Sequence, residues 1–128
     1  MRSIRIGKTI LAALKQNAGL QSIVNDNIFP LVVKDGVKGP FVVYRRPGLS
    51  MTHNKDANMA YATIEIACVA YDYSTSVDIA SHVLSTITRH NIDCANNITL
   101  DQASEEFSDD AYVQNLAFTI AILEDNKN

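Results

Sequence analysis

The 128-residue chain has only two cysteines, Cys68 and Cys94, and no dense cysteine framework. A structural disulfide is therefore not expected. Cys68 lies inside an apolar alternating segment and reads as a small core residue. No apolar run approaches the ~18 residues needed to span a bilayer. The opening Met-Arg-Ser-Ile-Arg-Ile-Gly-Lys carries charge but lacks the apolar stretch of a secretory leader. Together these absences lead us to expect a soluble cytoplasmic protein with no membrane partner. A surplus of basic charge is missing too, with 11 Lys+Arg against 14 Asp+Glu and a net −3. Binding to duplex DNA is driven by neutralising phosphates with Lys and Arg, so no sequence-specific nucleic-acid partner is expected.

Catalytic signatures are equally scarce. There is no G-x-S-x-G elbow, so no catalytic serine is indicated. A core thiol such as Cys68 is inert as a nucleophile. Neither G-x-x-x-x-G-K-[ST] nor G-x-G-x-x-G occurs, which removes the common phosphate cradles. The metal candidates are His53, His82, His90, Cys68 and Cys94; His90 and Cys94 form one H-x3-C pair with no second pair at a useful spacing. By helical phase His82 reads as a solvated surface residue. Adjacent acids at Glu105-Glu106 and Asp109-Asp110 read as a solvated turn rather than as an acid–base pair held in a cleft. The expectation is no catalytic residue, no metal and no cofactor.

What the chain does contain is a set of periodic segments with ordinary globular composition, 47% hydrophobic and 20% charged. Its length suits a single domain spanning 1–128. Residues 3–17 read as an amphipathic helix through Ile6, Ile10, Leu11 and Leu14, with Ser3 as its cap and Gly19 in the left-handed position that ends it. A short helical turn over 20–24 follows, broken by Asn25-Asp26-Asn27. Residues 28–33 read as extended, with Pro30 indicating an edge. Residues 41–46 read as a short strand ended by Pro47-Gly48, and 47–58 as the longest loop.

The strongest signal is the alternation over residues 59–73. Ala60, Ala62, Ile64, Ile66, Cys68 and Ala70 share one face, and Tyr61, Thr63, Glu65, Ala67, Val69 and Tyr71 share the other. Residues 74–89 read as a helix with Thr75 and Asp78 as a capping box and an apolar stripe of Val77, Ala80, Val83, Leu84 and Ile87. A strand over 98–103, an acidic turn over 104–110, a strand over 111–123 and a frayed tail from Glu124 complete the chain. The order predicts an α+β fold: a mostly antiparallel or mixed sheet of four to five strands with two main helices packed on one face.

Among the polar residues, Arg45, Arg46 and Lys55 read either as charges that protect an edge strand or as a partner contact. Glu65 stands alone on the central strand with the same two readings. Tyr61, Tyr71 and Tyr73 lie around it, and Tyr is enriched at interfaces. With His53 in the polar loop, the candidate subunit or partner interface is Arg45, Arg46, His53, Lys55, Tyr61, Glu65 and Tyr71.

The order of these segments, with several short motifs, resembles the small phage and prophage proteins described as tail terminator, tail completion or minor tail components. An amphipathic helix over 6–14 leads to a turn over 20–24. Asn27-Ile28-Phe29-Pro30 is similar to that family's Arg-Ile-Tyr-Pro. Gly39-Pro40-Phe41-Val42-Val43-Tyr44 is similar to its Pro-Tyr-Val-Val-Tyr strand. Residues 61–71 match its long strand, 74–89 its second helix, and 109–120 its acidic turn and closing strand with Gln114 and Phe118. The second helix departs from the family in carrying Ser and Thr where Ala is common. The resemblance implies a structural, non-enzymatic virion protein that assembles in the host bacterial cytoplasm and resides in the virion tail. It implies a ring of identical subunits, commonly six, that caps the head-proximal end of the tail tube and ends its polymerisation. The implied partners are the chain itself, the tail tube protein and a head-completion protein. A head-completion or connector adaptor is the alternative, and a small-ligand binding module is a third reading that needs a concave apolar pocket.

Overall fold

The computed structural model describes residues 2–53, 58–89, 92 and 95–124, with the His53 side chain outside that set. The elements run α1 (Ile6–Gln16), α2 (Ala18–Val24), β1 (Ile28–Pro30), β2 (Phe41–His53), β3 (Asn58–Ala70), α3 (Tyr73–Thr88), β4 (Ala95–Ser108) and β5 (Ala111–Glu124). The five strands form one sheet in the order β1-β2-β3-β5-β4. Only the β1–β2 pairing is parallel, so the sheet is mixed. The three helices pack on one of its faces, as the α+β reading expects.

The alternation of β3 decides which face. Ala60, Ala62, Ile64, Ile66, Cys68 and Ala70 are all buried. They meet Ile6, Ile10 and Leu14 of α1, Leu20 and Val24 of α2, and Ile79, Val83 and Ile87 of α3 in one core. From β5, Leu116, Phe118, Ile120 and Ile122 join it, opposite Ile66, Ile64, Ala62 and Ala60. Each large side chain buried this way contributes roughly 1.5–3 kcal/mol.

Several boundaries differ from the sequence reading, each for a local reason. Ser3 does not cap α1: the cap position is Arg5, with no side-chain bond, and Ser3 is buried elsewhere. Gly19 does not end α1 but lies inside α2, where the His82 ring packs so close that a methyl group would collide with it. His82 is accordingly half-buried rather than solvated. The break is Asn17, whose Oδ1 accepts from Leu20 N–H at 2.9 Å and caps α2. Its Nδ2 donates to Thr86 Oγ1 at 2.7 Å, tying the α1–α2 junction to α3.

β1 stops at Pro30 because Leu31 turns to φ 67°. β2 does not stop at Pro47-Gly48. The pairing with β3 shifts register between Arg45 and Gly48 and continues to His53 opposite Asn58. Pro47 lacks an N–H; the β1 pairing ends at Tyr44, so β2 has a free edge at the bulge, where that loss is tolerated. The loop expected over 47–58 is thus mostly strand, and Lys55 lies outside the described residues.

β3 ends at Ala70, because Asp72 caps α3 by accepting from Thr75 N–H at 2.9 Å. That cap replaces the Thr75–Asp78 box. The buried stripe of α3 is Ser76, Ile79, Val83, Thr86 and Ile87, and Val77 is exposed. β4 runs unbroken through the stretch read as an acidic turn. The turn itself is Asp109-Asp110, with φ 52° and 61°. Two consecutive left-handed residues suit a two-residue hairpin, and Asp tolerates that region better than most side chains.

Two substitutions test this packing by urea denaturation. Phe118→Ala, at a fully buried position, is expected to lower unfolding free energy by about 3–5 kcal/mol. Asn17→Ala removes a cap and is expected to cost about 1 kcal/mol, up to about 2.

Candidate functional site

The sheet face opposite the helices is open around its centre, although Val69 and Ala121 on it are buried. β2 supplies Val43 and Arg45 to it, β3 supplies Tyr61, Thr63, Glu65 and Ala67, and β5 supplies Val113, Asn115, Ala117 and Thr119. Gln102 and Ser104 of β4 extend it to the outer edge. A concavity of about 450 Å³ on this face spans all four strands, with Arg45 and Glu65 on one flank and Gln102, Ser104 and Asn115 on the other.

The Arg45–Glu65 pair is the polar centre of this surface. The two residues are direct cross-strand partners. Arg45 Nε donates to Glu65 Oε1 at 2.8 Å, and Nη2 lies 2.6 Å from the same oxygen. Glu65, expected to stand alone, therefore has a partner within its own chain. Both side chains remain substantially exposed, and pairs of this kind contribute about 0–1 kcal/mol to folding. Their charge is neutralised locally while their remaining hydrogen-bonding capacity faces outward.

The seven candidate interface residues do not converge on one patch. Arg45, Glu65 and Tyr61 share the open face, with Tyr61 four positions along β3 from Glu65. Arg46 turns to the first turn of the chain and donates to Ile4 O at 3.1 Å. Tyr71 is exposed beyond the end of β3, ten positions from Tyr61. His53 pairs through its backbone with Asn58, and its side chain, like Lys55, is outside the described residues. His90 and Cys94 are outside them as well.

Potential catalytic or metal-binding groups are arranged differently. Among the described residues, no group of three or more His, Cys, Asp and Glu side chains could hold a metal ion. Cys68 is buried, and burial pushes its thiol up to about 12, so it stays protonated at neutral pH. Burial likewise pushes the Tyr44 phenol up to about 12, and its hydroxyl donates to Gly7 O at 3.1 Å.

Two polar clusters were not visible in the sequence. At the start of α3, Tyr73 Oη donates to Glu105 Oε2 at 2.9 Å, and Gln114 Nε2 donates to the same oxygen at 3.0 Å. Tyr112 stacks edge-on against both Tyr73 and Phe107, with ring centroids 5.8 and 5.0 Å apart. Glu105 and Glu106 therefore have opposite roles: the first turns toward α3, and the second faces the open side with Asn115. The alternation of a strand explains the split, once residues 104–108 are recognised as strand.

The second cluster joins the chain's two ends. Glu124, expected to be frayed, is 6% exposed. Its Oε1 accepts from Ser3 N–H at 2.5 Å and its Oε2 from Arg2 N–H at 3.2 Å. Burial alone would raise this carboxyl's pKa, but hydrogen bonds from Ser3 and Arg2 outweigh it and the net direction is downward. A carboxylate with a depressed native pKa stabilises the fold above its unfolded value and loses that contribution as pH falls through the native value. The wild type is thus expected to lose urea resistance on acidification below roughly pH 4.3, the ordinary Glu value. The Glu124→Gln protein should lose less, and the two curves should converge at lower pH. Parallel curves across that window would show that the clamp does not depend on ionisation.

Compared by sequence, the chain matches no protein-family model and no curated protein. Compared by structure, it is similar to a chain in the virion of a native gene transfer agent particle. The TM-score is 0.77 at 15% identity, covering 90% of this chain and 92% of the other. At that identity the likeness carries the fold, over nearly the full length of both chains.

Proposed function

We propose that this chain is a structural, non-enzymatic protein of a phage-like virion that caps the head-proximal end of a tail tube, ends tube polymerisation and forms the joint to the head. The observation that carries the reading is the shared fold, over 90% of this chain, with a component of a gene transfer agent virion. The segment order and motifs that resemble tail terminators support the finer assignment. Its partners in this reading are further copies of itself in a ring, commonly six, the tail tube protein and a head-completion protein. Assembly takes place in the host bacterial cytoplasm, and the finished protein resides in the virion tail.

A tail terminator needs one surface that resembles a tube subunit and another that does not, so that one ring binds and the next cannot. The two sides of this fold are suited to that division. The open sheet face combines the exposed apolar side chains Tyr61 and Leu123 with the Arg45–Glu65 pair. Mixed aromatic and Arg surfaces of this kind are favoured where a soluble protein must later be buried in an interface. The helical side is the chemically distinct second surface.

The same features suit a head-completion or connector adaptor, and purified particles separate the two. Incubated with tail tubes and with filled heads, the protein is expected to co-sediment with tubes at a low ratio to tube subunits and to stop further elongation. Exclusive binding to heads would favour the adaptor. Binding to neither would overturn both. Tyr61→Ala is expected to weaken tube binding with little change in the thermal melt.

A further inference from the structure

Charge is unevenly distributed along the chain. Nine of the 11 Lys and Arg residues fall within the first 55 positions, with two acids. Twelve of the 14 Asp and Glu residues come after that point, with two bases. Asymmetry of this size between two parts of one chain is a mark of an interaction surface.

The topology converts this order into a spatial division. α1, α2, β1 and β2 come from the basic part, and β3, α3, β4 and β5 come from the acidic part. The strand order β1-β2-β3-β5-β4 puts the strands of the basic part at one edge of the sheet and those of the acidic part toward the other. Among the described residues a single ion pair, Arg45–Glu65, crosses the seam. The charges at the outer edges are therefore not neutralised within the copy.

Each outer edge also combines its charge with exposed apolar groups. On the acidic edge, Phe107 is 61% exposed, flanked by Glu106 and by the Asp109-Asp110 turn. Among the described residues, no strand lies beyond the 14 residues of β4. On the other edge, Leu31 and Val32 are 72% and 73% exposed. Lys34 and Lys38 follow in the β1–β2 connection, both exposed, with Asp35 as its one acid.

We infer that copies of this chain associate head to tail, the acidic β4 edge of one copy seated on the basic β1–β2 connection of the next. Such a contact is heterologous: each copy offers one surface of each sign, and repetition yields a ring where the rotation closes. Pairing two β4 edges with each other would instead oppose Glu106, Asp109 and Asp110 to their own counterparts, which like-charge repulsion disfavours. The inference names the surfaces that the ring of the proposed function would use and rests on that reading for closure alone.

The test is sedimentation velocity and light scattering on the full chain. Wild-type self-association is expected to weaken between about 0.01 M and about 1 M ionic strength, as the screening length falls from about 30 Å to about 3 Å. Glu106→Lys with Ser108→Lys offsets the charge of the Asp109-Asp110 turn, so the β4 edge loses its acidic excess, and it avoids the left-handed turn positions. Lys34→Glu with Lys38→Glu makes both edges acidic. Each double variant alone is expected to associate about tenfold or more weakly than wild type, and an equimolar mixture should recover association as one-to-one pairs, the intact basic connection of the first variant meeting the intact acidic β4 edge of the second. All four positions are exposed, and the salt series on the wild type does not depend on any variant folding. A wild type that remains monomeric at every salt concentration, variants that associate as tightly as wild type, or a mixture without recovery would each overturn the inference. A monomeric wild type that still caps tail tubes leaves the proposed function standing. Salt-sensitive association without tube binding leaves the inference standing and removes that function.

Discussion

The inward face of β3 is the constraint on which the other elements depend. Its six buried positions, from Ala60 to Ala70, are all small or β-branched. Small side chains at Ala60, Ala62 and Ala70 leave room for the helix layer, while Ile64 and Ile66 fill the centre against it. β3 also pairs with β2 on one side and with β5 along its whole length on the other. A one-residue slip would turn Glu65 and Tyr61 into the core and expose Ile64 and Ile66. Register and burial thus specify each other.

The same alternation leaves the second face of the sheet free. Antiparallel sheets tolerate one solvated face because every backbone group of an inner strand is already paired. The Arg45–Glu65 pair sits at the seam where the basic and acidic parts of the chain meet. On either side of that seam the charge grows in opposite senses, toward Lys34 and Lys38 at one edge and toward Glu106 and Asp110 at the other. Long edge strands invite unwanted pairing, and charge is a common protection against it. Here the two edges differ in sign, so the protection against like edges doubles as attraction between unlike ones.

The segments that were legible share a property: their signal is contained within a few residues. The two faces of β3, the burial of Cys68, the α1 residues Ile6, Ile10 and Leu14, and the strand bearing Leu116, Phe118 and Ile120 are all periodic on a scale shorter than their own length. The errors arose where a local signal competed with a distant partner. Pro47-Gly48 has the local chemistry of a stop, yet β3 on the inner side of β2 carries the strand through it as a bulge. Glu105, Glu106, Asp109 and Asp110 have the composition of a turn, yet β5 holds the first two in a strand. Ser3 and Glu124 looked like a cap and a frayed end because the bond that explains both joins residues 121 positions apart.

The central strand Asn58–Ala70 returns a divided answer about what a sequence determines. Composition and periodicity alone determined that it is a strand, which residues it buries, and that helices cover one side of it. They also determined the surplus of basic residues up to position 55 and of acidic residues after it. Only the tertiary structure decided that Glu65 meets Arg45, that the chain's ends are clamped through Glu124, and that the two charged parts occupy opposite edges. Periodicity is a property of neighbours along the chain, whereas register, edge position and ion pairing depend on which strand lies beside which. That choice is made by the whole core at once.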